Sequence, residues 1–294
     1  MEDSTHTIEE EITALEAEMQ EVGFWKDKDK AQDVIKKIKD LKDKKEGVTA
    51  LDKGDAILTI LAGAGGDDSE DWARMLFDMY NKYINKRGWA VSTIHSNKND
   101  HGGYRNITIE LNGKNAYGTL KNESGVHRLV RISPFNSQAK RHTSFAMVEV
   151  LPVIPEVEKK IINPDEIKIE TSKSSGPGGQ NVNKRETAVR IVHIPTNIAV
   201  HVASERSQEQ NRQKALDILA AKLFKLDQEN RKAEVEGRQI SKTMEIEWGN
   251  QIRSYVLHPY KMIKDHRTDV ETSSVEDVLE KGELDNFIEA ERML

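Results

Sequence analysis

The residues best placed to do chemistry lie in Ser174-Ser175-Gly176-Pro177-Gly178-Gly179-Gln180-Asn181-Val182-Asn183-Lys184. Glycine reaches positive backbone dihedrals and lets a main chain approach a rigid surface where any side chain would collide. Pro177 stiffens the way in and has no amide hydrogen to offer. The segment therefore presents one residue, Gln180, on an exposed hairpin of backbone. Glutamine has no useful pKa and cannot be an ordinary acid or base. It donates and accepts hydrogen bonds, and its main-chain N–H can face a developing oxyanion. Taken alone, Gly178-Gly179-Gln180 is a turn. Its surroundings change that reading. Between Lys173 and Lys214 lie seven Lys/Arg (173, 184, 185, 190, 206, 212, 214) against Glu186, Glu205 and Glu209, a local net of +4 in a chain of net charge −6. A glycine tip on a basic platform suits a polyanionic partner, a nucleic acid.

A second tip is Ser133-Pro134-Phe135, with Arg131 before it and Lys140, Arg141, His142 and Thr143 after it. Ser-Pro initiates a turn, and in isolation Phe135 reads as a core contact. Basic charges interleaved with an aromatic ring and hydroxyls suit single-stranded RNA, which is read by stacking and by hydrogen bonds to base edges. The nine histidines show no metal-ligand spacing, and His127 and His193 sit on apolar patterns as core residues would. Zero cysteines exclude disulfides, thiolate zinc sites and cysteine nucleophiles. GxxxxGK[ST], HExxH and GxSxG are all missing, so nucleotide hydrolysis, zincin chemistry and a serine-hydrolase elbow have no sequence support. No cofactor and no metal are expected.

These two segments, with Gly125-Val126-His127-Arg128-Leu129-Val130, Arg141-His142-Thr143-Ser144-Phe145 and Trp248-Gly249-Asn250-Gln251-Ile252-Arg253-Ser254-Tyr255-Val256-Leu257, resemble the bacterial class-I peptide chain release factors, those of the release factor 2 type. The resemblance runs from about Ala56 to the C-terminus. It implies reading of the stop codons UAA and UGA in the ribosomal A site and hydrolysis of the ester between the finished polypeptide and transfer RNA. On that resemblance Gly178, Gly179 and Gln180 are catalytic, and Gln180 is a candidate for methylation. Ser133, Pro134 and Phe135 set codon preference, His142 stacks on a codon base and Thr143 bonds an edge. Gly65 and Asp68 read the first uridine. Arg131, Arg141, Lys184, Arg185, Arg206 and Arg212 are RNA-binding candidates. Partners implied are the ribosomal RNA of the decoding and peptidyl transferase centres, the messenger stop codon and the P-site peptidyl-tRNA. A glutamine methyltransferase and a recycling GTPase are further candidates. The chain is expected to be a cytoplasmic monomer with no activity away from the ribosome. It departs from the family pattern in a short N-terminal helical domain, in Asp68 where Glu is usual, and in Pro177 and Asn181 where Ala and His are usual. The loop variant is similar to that of codon-independent ribosome-rescue hydrolases. Rescue hydrolysis is the first rival reading, and a non-catalytic RNA-binding protein the second.

The elements that must hold these tips are legible as patterns. Residues 1–57 carry sixteen Asp/Glu and ten Lys, wrong for gripping RNA and suited to a protein partner. Ile8, Ile12, Leu15, Met19 and Val22 form a heptad seam behind a Thr7/Glu10 capping box, and Ala31, Val34, Ile38 and Leu41 repeat it: a helical hairpin. Ala56 to Leu61 reads as a strand, followed by a glycine loop and a helix with Trp72, Met75, Leu76, Met79, Tyr80 and Tyr83 on one face and Gly88 as its C-cap. The dinucleotide fingerprint fails there, since the third glycine would be at 68 and Asp68 is present. Further strands are expected at 90–94, 106–111, 145–150, 167–169, 188–192 and 198–202, then a long helix from Gln213 to about Val235. The tail reads as a strand at 252–257 and a helix at 275–293. No run approaches membrane-span length, and the acidic start is unlike a signal peptide. The fold class expected is multidomain α+β. Its parts are an N-terminal helical hairpin (1–54), a mixed α/β codon-recognition domain (55–155), a small α+β domain carrying the Gly-Gly-Gln loop (156–248) and a C-terminal strand and helix (249–294).

Overall fold

A computed structural model describes residues 11–20, 24–26, 28–45, 48–154, 162–173, 186–205, 207–235 and 249–292. The chain divides into two units, 1–53 and 54–294. In the first, residues 11–18 form helix α1 and Lys28–Lys45 helix α2. Ile12, Phe24, Ala31, Val34, Ile38 and Leu41 are buried together, with Leu15 and Met19 packed on them. Burying both stripes is what gives two polar helices a reason to pair. Ile8, Val22 and the Thr7/Glu10 capping box lie outside the described residues.

The second unit is a multidomain α+β assembly built on two sheets. The larger has eight strands: β1 (Ala56–Ala62), β2 (Ala90–Lys98), β3 (Tyr104–Asn112), β4 (Gly125–Ile132), β5 (Arg141–Pro152), β9 (Gln251–Val256), β10 (Met262–Asp265) and β11 (Glu271–Thr272). Their order is β11-β10-β9-β4-β5-β1-β3-β2. All pairings are antiparallel except β4 with β9. Helix α3 (Asp67–Arg87) lies on one face with α6 (Val275–Lys281) and α7 (Asp285–Glu291); the short α4 (Ala116–Leu120) joins the same core. Ala56, Leu58 and Ile60 point into that layer beside Trp72, Leu76, Met79 and Tyr80, while Ile57 points the other way. The α3 stripe read from the sequence is thus the stripe it buries, and Gly88 closes the helix at φ 70. The tail helix expected at 275–293 is instead two, broken at Gly282 (φ 67), whose position against the backbone of Met79 and Tyr83 leaves no room for a side chain.

The smaller sheet is β6 (Ile167–Ser172), β7 (Ala188–His193) and β8 (Ile198–Val202), in that order, backed by α5 (Gln208–Val235). Val189, Ile191, Val200 and Val202 share one core with Ile218 and Leu219 of α5 and with Ile57, Ile94 and Leu151 from the back of the large sheet. The join is also polar. Lys222 Nζ is 2.7 Å from the buried Glu149 carboxylate, and His201 Nδ1 is 3.3 Å from His95 Nδ1.

Candidate functional site

β4 and β9 run side by side in the same direction, and Leu257 N–H donates to the Val130 carbonyl at 2.8 Å. β4 hands the chain to the Ser-Pro-Phe loop, which returns as β5. The loop is closed at its neck by the Ile132–Arg141 pair and by Ser133 N–H donating to the Lys140 carbonyl at 3.0 Å. Inside it, Phe135 N–H donates to Ser133 Oγ at 3.1 Å, and Gln138 N–H donates to Asn136 Oδ1 at 2.8 Å. Both are the local side-chain-to-backbone bonds that Ser and Asn make in turns. The loop is a built object.

It meets the N-terminus of α3. Ser133 is buried, and its Oγ donates to Asp68 Oδ2 at 2.8 Å; His142 Nδ1 lies 2.8 Å from the same oxygen. Asp68 Oδ1 is buried without a hydrogen bond, 3.7 Å from Arg131 NH2. Arg131 turns inward: NH2 is 2.6 Å from Asp71 Oδ2, and NH1 points at Met75 Sδ. The approach of α3 depends on Gly65, at φ 151, where an added Cβ would sit 2.3 Å from Ser69 Oγ. Asn99, in the β2–β3 turn, caps that turn through Gly103 N–H (2.7 Å) and reaches Asp67 Oδ1 (3.2 Å). The His101 ring then lies 6.0 Å from Phe135, which is 42% exposed.

Of the residues predicted from sequence, Ser133, Asp68 and His142 come together in one hydrogen-bonded cluster, with Arg131 ion-paired beside it at 3.7 Å. Phe135, Pro134, Arg141 and Thr143 are exposed on its rim, and Gly65, also exposed, packs against Ser69 at the start of α3. The whole offers the flat Phe135 ring, the Thr143 hydroxyl and an imidazole face at the end of a sheet, which is what single-stranded bases are read with. Asn136 and His101 carry no sequence signal of their own. Asn136 lies in an unremarkable polar loop, and His101 acquires its place only when the β2–β3 turn folds back on the loop.

Gly178, Gly179, Gln180, Lys184, Arg185 and Arg206 lie outside the described residues. The flanks of that loop are described. β6 and β7 pair from Ile167–His193 to Ser172–Ala188, so the loop leaves and rejoins a closed ladder. The buried Asn211 donates from Nδ2 to the Thr187 and Glu205 carbonyls (2.7 and 3.0 Å) and accepts from Glu205 N–H, fastening the far flank to α5. Several platform cations have acidic neighbours: Arg190 with Glu170 at 2.8 Å, Lys214 with Glu205 at 3.2 Å, Arg212 with Glu209 at 3.7 Å. Lys173 is exposed.

At the opposite end of β4 is a second polar cluster that sequence reading missed. Arg253 is fully buried, its NH2 2.7 Å from Glu123 Oε1, its Nε 3.3 Å from Asp265 Oδ2, and it also donates to Glu291. Arg267 reaches Asp265 (2.8 Å) and Glu291 (2.6 Å), and Tyr80 donates to Glu123 at 2.5 Å. Burial works against each charge. Even so, Arg253 holds the Glu123 carboxyl below its ordinary range, and hydrogen bonds from Arg267 hold Asp265 well below. Burial, then the charge of Glu123, pushes Glu291 up to about 8. Burial drives His127, bonded to the Glu123 carbonyl at 3.1 Å, down to about 4. Among the described residues no group of three or more His, Asp or Glu could hold a metal, and no helix is long and apolar enough to cross a membrane.

A model of the PCRF domain matches residues 47–148, and a model of the RF-1 domain matches residues 155–267. The chain is 42% identical to "Peptide chain release factor 2" of Petrotoga mobilis over 97% of its own length and 90% of that protein's. It is 41% identical to the protein of that name in Clostridium perfringens, over 96% and 91%. To the Thermotoga petrophila protein it is 51% identical over 82% and 65%. A solved structure, "RF2 of Thermus thermophilus", superposes with a TM-score of 0.74 at 38% identity, covering 99% of this chain and 83% of that one.

Proposed function

The chain belongs to the peptide chain release factor 2 family and acts in stop-codon-dependent translation termination, and from that premise we propose how its two loops divide the work. The loop between β4 and β5, with the start of α3, reads UAA and UGA. The loop around Gly178-Gly179-Gln180 promotes hydrolysis of the peptidyl-tRNA ester in the peptidyl transferase centre. Water attacks the ester carbonyl carbon, the carbon–oxygen bond to the ribose breaks, and the leaving oxygen takes up a proton. The Gln180 N–H donates to the oxyanion that forms between these events. A donor fixed in place needs no reorganisation at that moment and is worth about 3–4 kcal/mol of barrier in comparable oxyanion holes. Gly178 and Gly179 let the backbone approach ribosomal RNA, and Lys184, Arg185, Arg206 and Arg212 offset phosphate charge nearby. The ribosome completes the site, so the free chain hydrolyses nothing. Gln180 is the site on which a glutamine methyltransferase would act; a recycling GTPase would follow release. The domains 1–54, 55–155, 156–248 and 249–294 and a cytoplasmic monomer complete the reading.

The observation that carries it is Asp68 Oδ2 receiving both Ser133 and His142 beneath an exposed Phe135. A codon-independent rescue factor has no use for so fixed a loop. The test is release of labelled peptide from ribosomes programmed with UAA, UGA, UAG or a sense codon. Release on UAA and UGA, weak release on UAG and none on sense codons is expected. Release on every codon would favour rescue. Gly179→Val should abolish release and spare stop-codon binding, because a β-branched residue blocks both positive φ and close approach.

A further inference from the structure

On the reading that this loop reads stop codons, we propose that Asn136 is a positioning residue that holds the His142 ring in one hydrogen-bonding arrangement, Nδ1 donating and Nε2 accepting. The partners of the two ring nitrogens set that arrangement. Asn136 Oδ1 is occupied by the Gln138 N–H at 2.8 Å, which decides which end of the amide faces the histidine. The other end, Nδ2, lies 3.1 Å from His142 Nε2. An amide NH2 only donates, so Nε2 must accept through its lone pair. On the opposite side of the ring Nδ1 lies 2.8 Å from Asp68 Oδ2, and a carboxylate only accepts, so Nδ1 carries the hydrogen. One ring is thereby clamped at both nitrogens, by a residue 74 positions away in α3 and by one six positions away in its own loop.

Asp68 faces the ring from α3 and is itself approached by Arg131, 3.7 Å from Asp68 Oδ1, with Asp71 behind. Lys140 and Arg141 flank it along the loop and are exposed. A ring held at both edges keeps its face free to stack on a codon base. Selectivity then rests on shape and on edge contacts. Asn136 has a longer reach as well. The Asp68 oxygen that anchors His142 also anchors Ser133, which in turn holds Phe135 N–H. Loosening the ring loosens the oxygen shared with the residue that sets codon preference.

The experiment has two arms. In the free protein with 15N-labelled histidine, nuclear magnetic resonance should show His142 at neutral pH with a proton on Nδ1 only. In Asn136→Leu, which cannot donate, Asp68 still holds the Nδ1 hydrogen, and the Nε2 resonance should lose the shift of a nitrogen that accepts a hydrogen bond. On programmed ribosomes, Asn136→Leu should raise the half-saturating concentration on UAA and UGA by about three- to tenfold, the usual consequence of one lost hydrogen bond. The maximal release rate should not change, since the catalytic loop is untouched. A His142 ring protonated on Nε2 in the parent, or an Asn136→Leu variant with unchanged ring and unchanged concentration dependence, overturns the proposal. If His142→Ala releases with undiminished codon dependence, the codon-reading assignment falls instead, and the spectroscopic result stands apart from it.

Discussion

β4 carries a cluster of charged and polar groups at each end, and the two are built on opposite rules. Before its first residue, Glu123 sits with Arg253, Asp265 and Glu291, each no more than 1% exposed. After its last residue, Ser133 sits with Asp68, His142 and Arg131, and the rim of the cluster faces solvent. The buried end nearly saturates its donors: the Arg253 guanidinium meets three carboxylates and lies over the Phe287 ring at 4.5 Å. Both ends leave buried atoms without a hydrogen bond: Asp68 Oδ1 and Arg131 Nε at the open end, Glu291 Oε2 at the buried one. One cluster joins the tail strands β9 and β10 and helix α7 to the sheet. The other holds a loop in a chosen shape under an exposed rim. Charge alone does not mark a functional site; a polar rim open to solvent does.

The comparison breaks most visibly under Arg253→Ala. Removing one partner from a buried ion pair leaves the others uncompensated, at a cost of about 3–5 kcal/mol. That is a large share of the ~5–15 kcal/mol that holds a typical domain together. Urea unfolding should show the loss as a lower midpoint, while any folded fraction keeps its codon choice. A change under about 1 kcal/mol would mean the cluster is not structural. Ser133→Ala should behave in reverse. It removes one donor to Asp68 and the acceptor for Phe135 N–H, so stability should fall by only about 1–2 kcal/mol. Discrimination among UAA, UGA and UAG should collapse, measured as release on each. Unchanged discrimination would remove Ser133 from the reading site.

pH sharpens the contrast. His127, held at about 4, and His95, held at about 4 by burial and by His201, bind fewer protons folded than unfolded. Their contribution is complete above the ordinary histidine range and is lost as pH falls toward 4. Glu291, at about 8, works the other way: folded, it keeps a proton that the unfolded chain releases near 4.5. Stability from it is complete below that value and declines as pH rises toward 8. The urea midpoint plotted against pH should therefore be dome-shaped. A midpoint that rose steadily from pH 5 to pH 9 (about the span of these shifts) would contradict the Glu291 assignment.

The sequence revealed the scaffold of this comparison better than its two ends. The helix stripe from Trp72 to Tyr83 and its Gly88 cap are local signals, and they survive folding unchanged. β4 was harder to see. Val126 and His127, then Leu129 and Val130, are buried as adjacent pairs, because a central strand between β9 and β5 is covered on both faces and loses its alternation. Glu123 and Arg253 are 130 positions apart, and no spacing rule links them. Asp68 was expected at the first codon base through resemblance. Its side chain spends one oxygen on residues 65 and 74 positions away, a contact made by tertiary approach alone. The Ser-Pro-Phe turn was legible because Ser and Pro act on their own backbone; the clamp on His142 was not.

The smallest expected effect is also the most discriminating, because it applies one chemical change to both ends. Glu291→Gln and Asp68→Asn each remove a carboxylate charge with almost no change of shape. In the buried cluster three acids face two arginines, Arg253 and Arg267, and the raised Glu291 shows that one acid is surplus. Glutamine there keeps a carbonyl oxygen to accept from both arginines. The variant should match the parent at about pH 5 and exceed it at about pH 9, where the parent must ionise Glu291 against Glu123. At the open end Asp68 is not surplus. Its Oδ2 accepts two hydrogen bonds that a charge strengthens, and an amide facing His142 with its NH2 would repel the Nδ1 proton. Asp68→Asn should therefore cost only about 1 kcal/mol in stability, yet weaken stop-codon discrimination at every pH. Equal stability profiles for the two variants, with codon choice intact in both, would erase the distinction between the clusters.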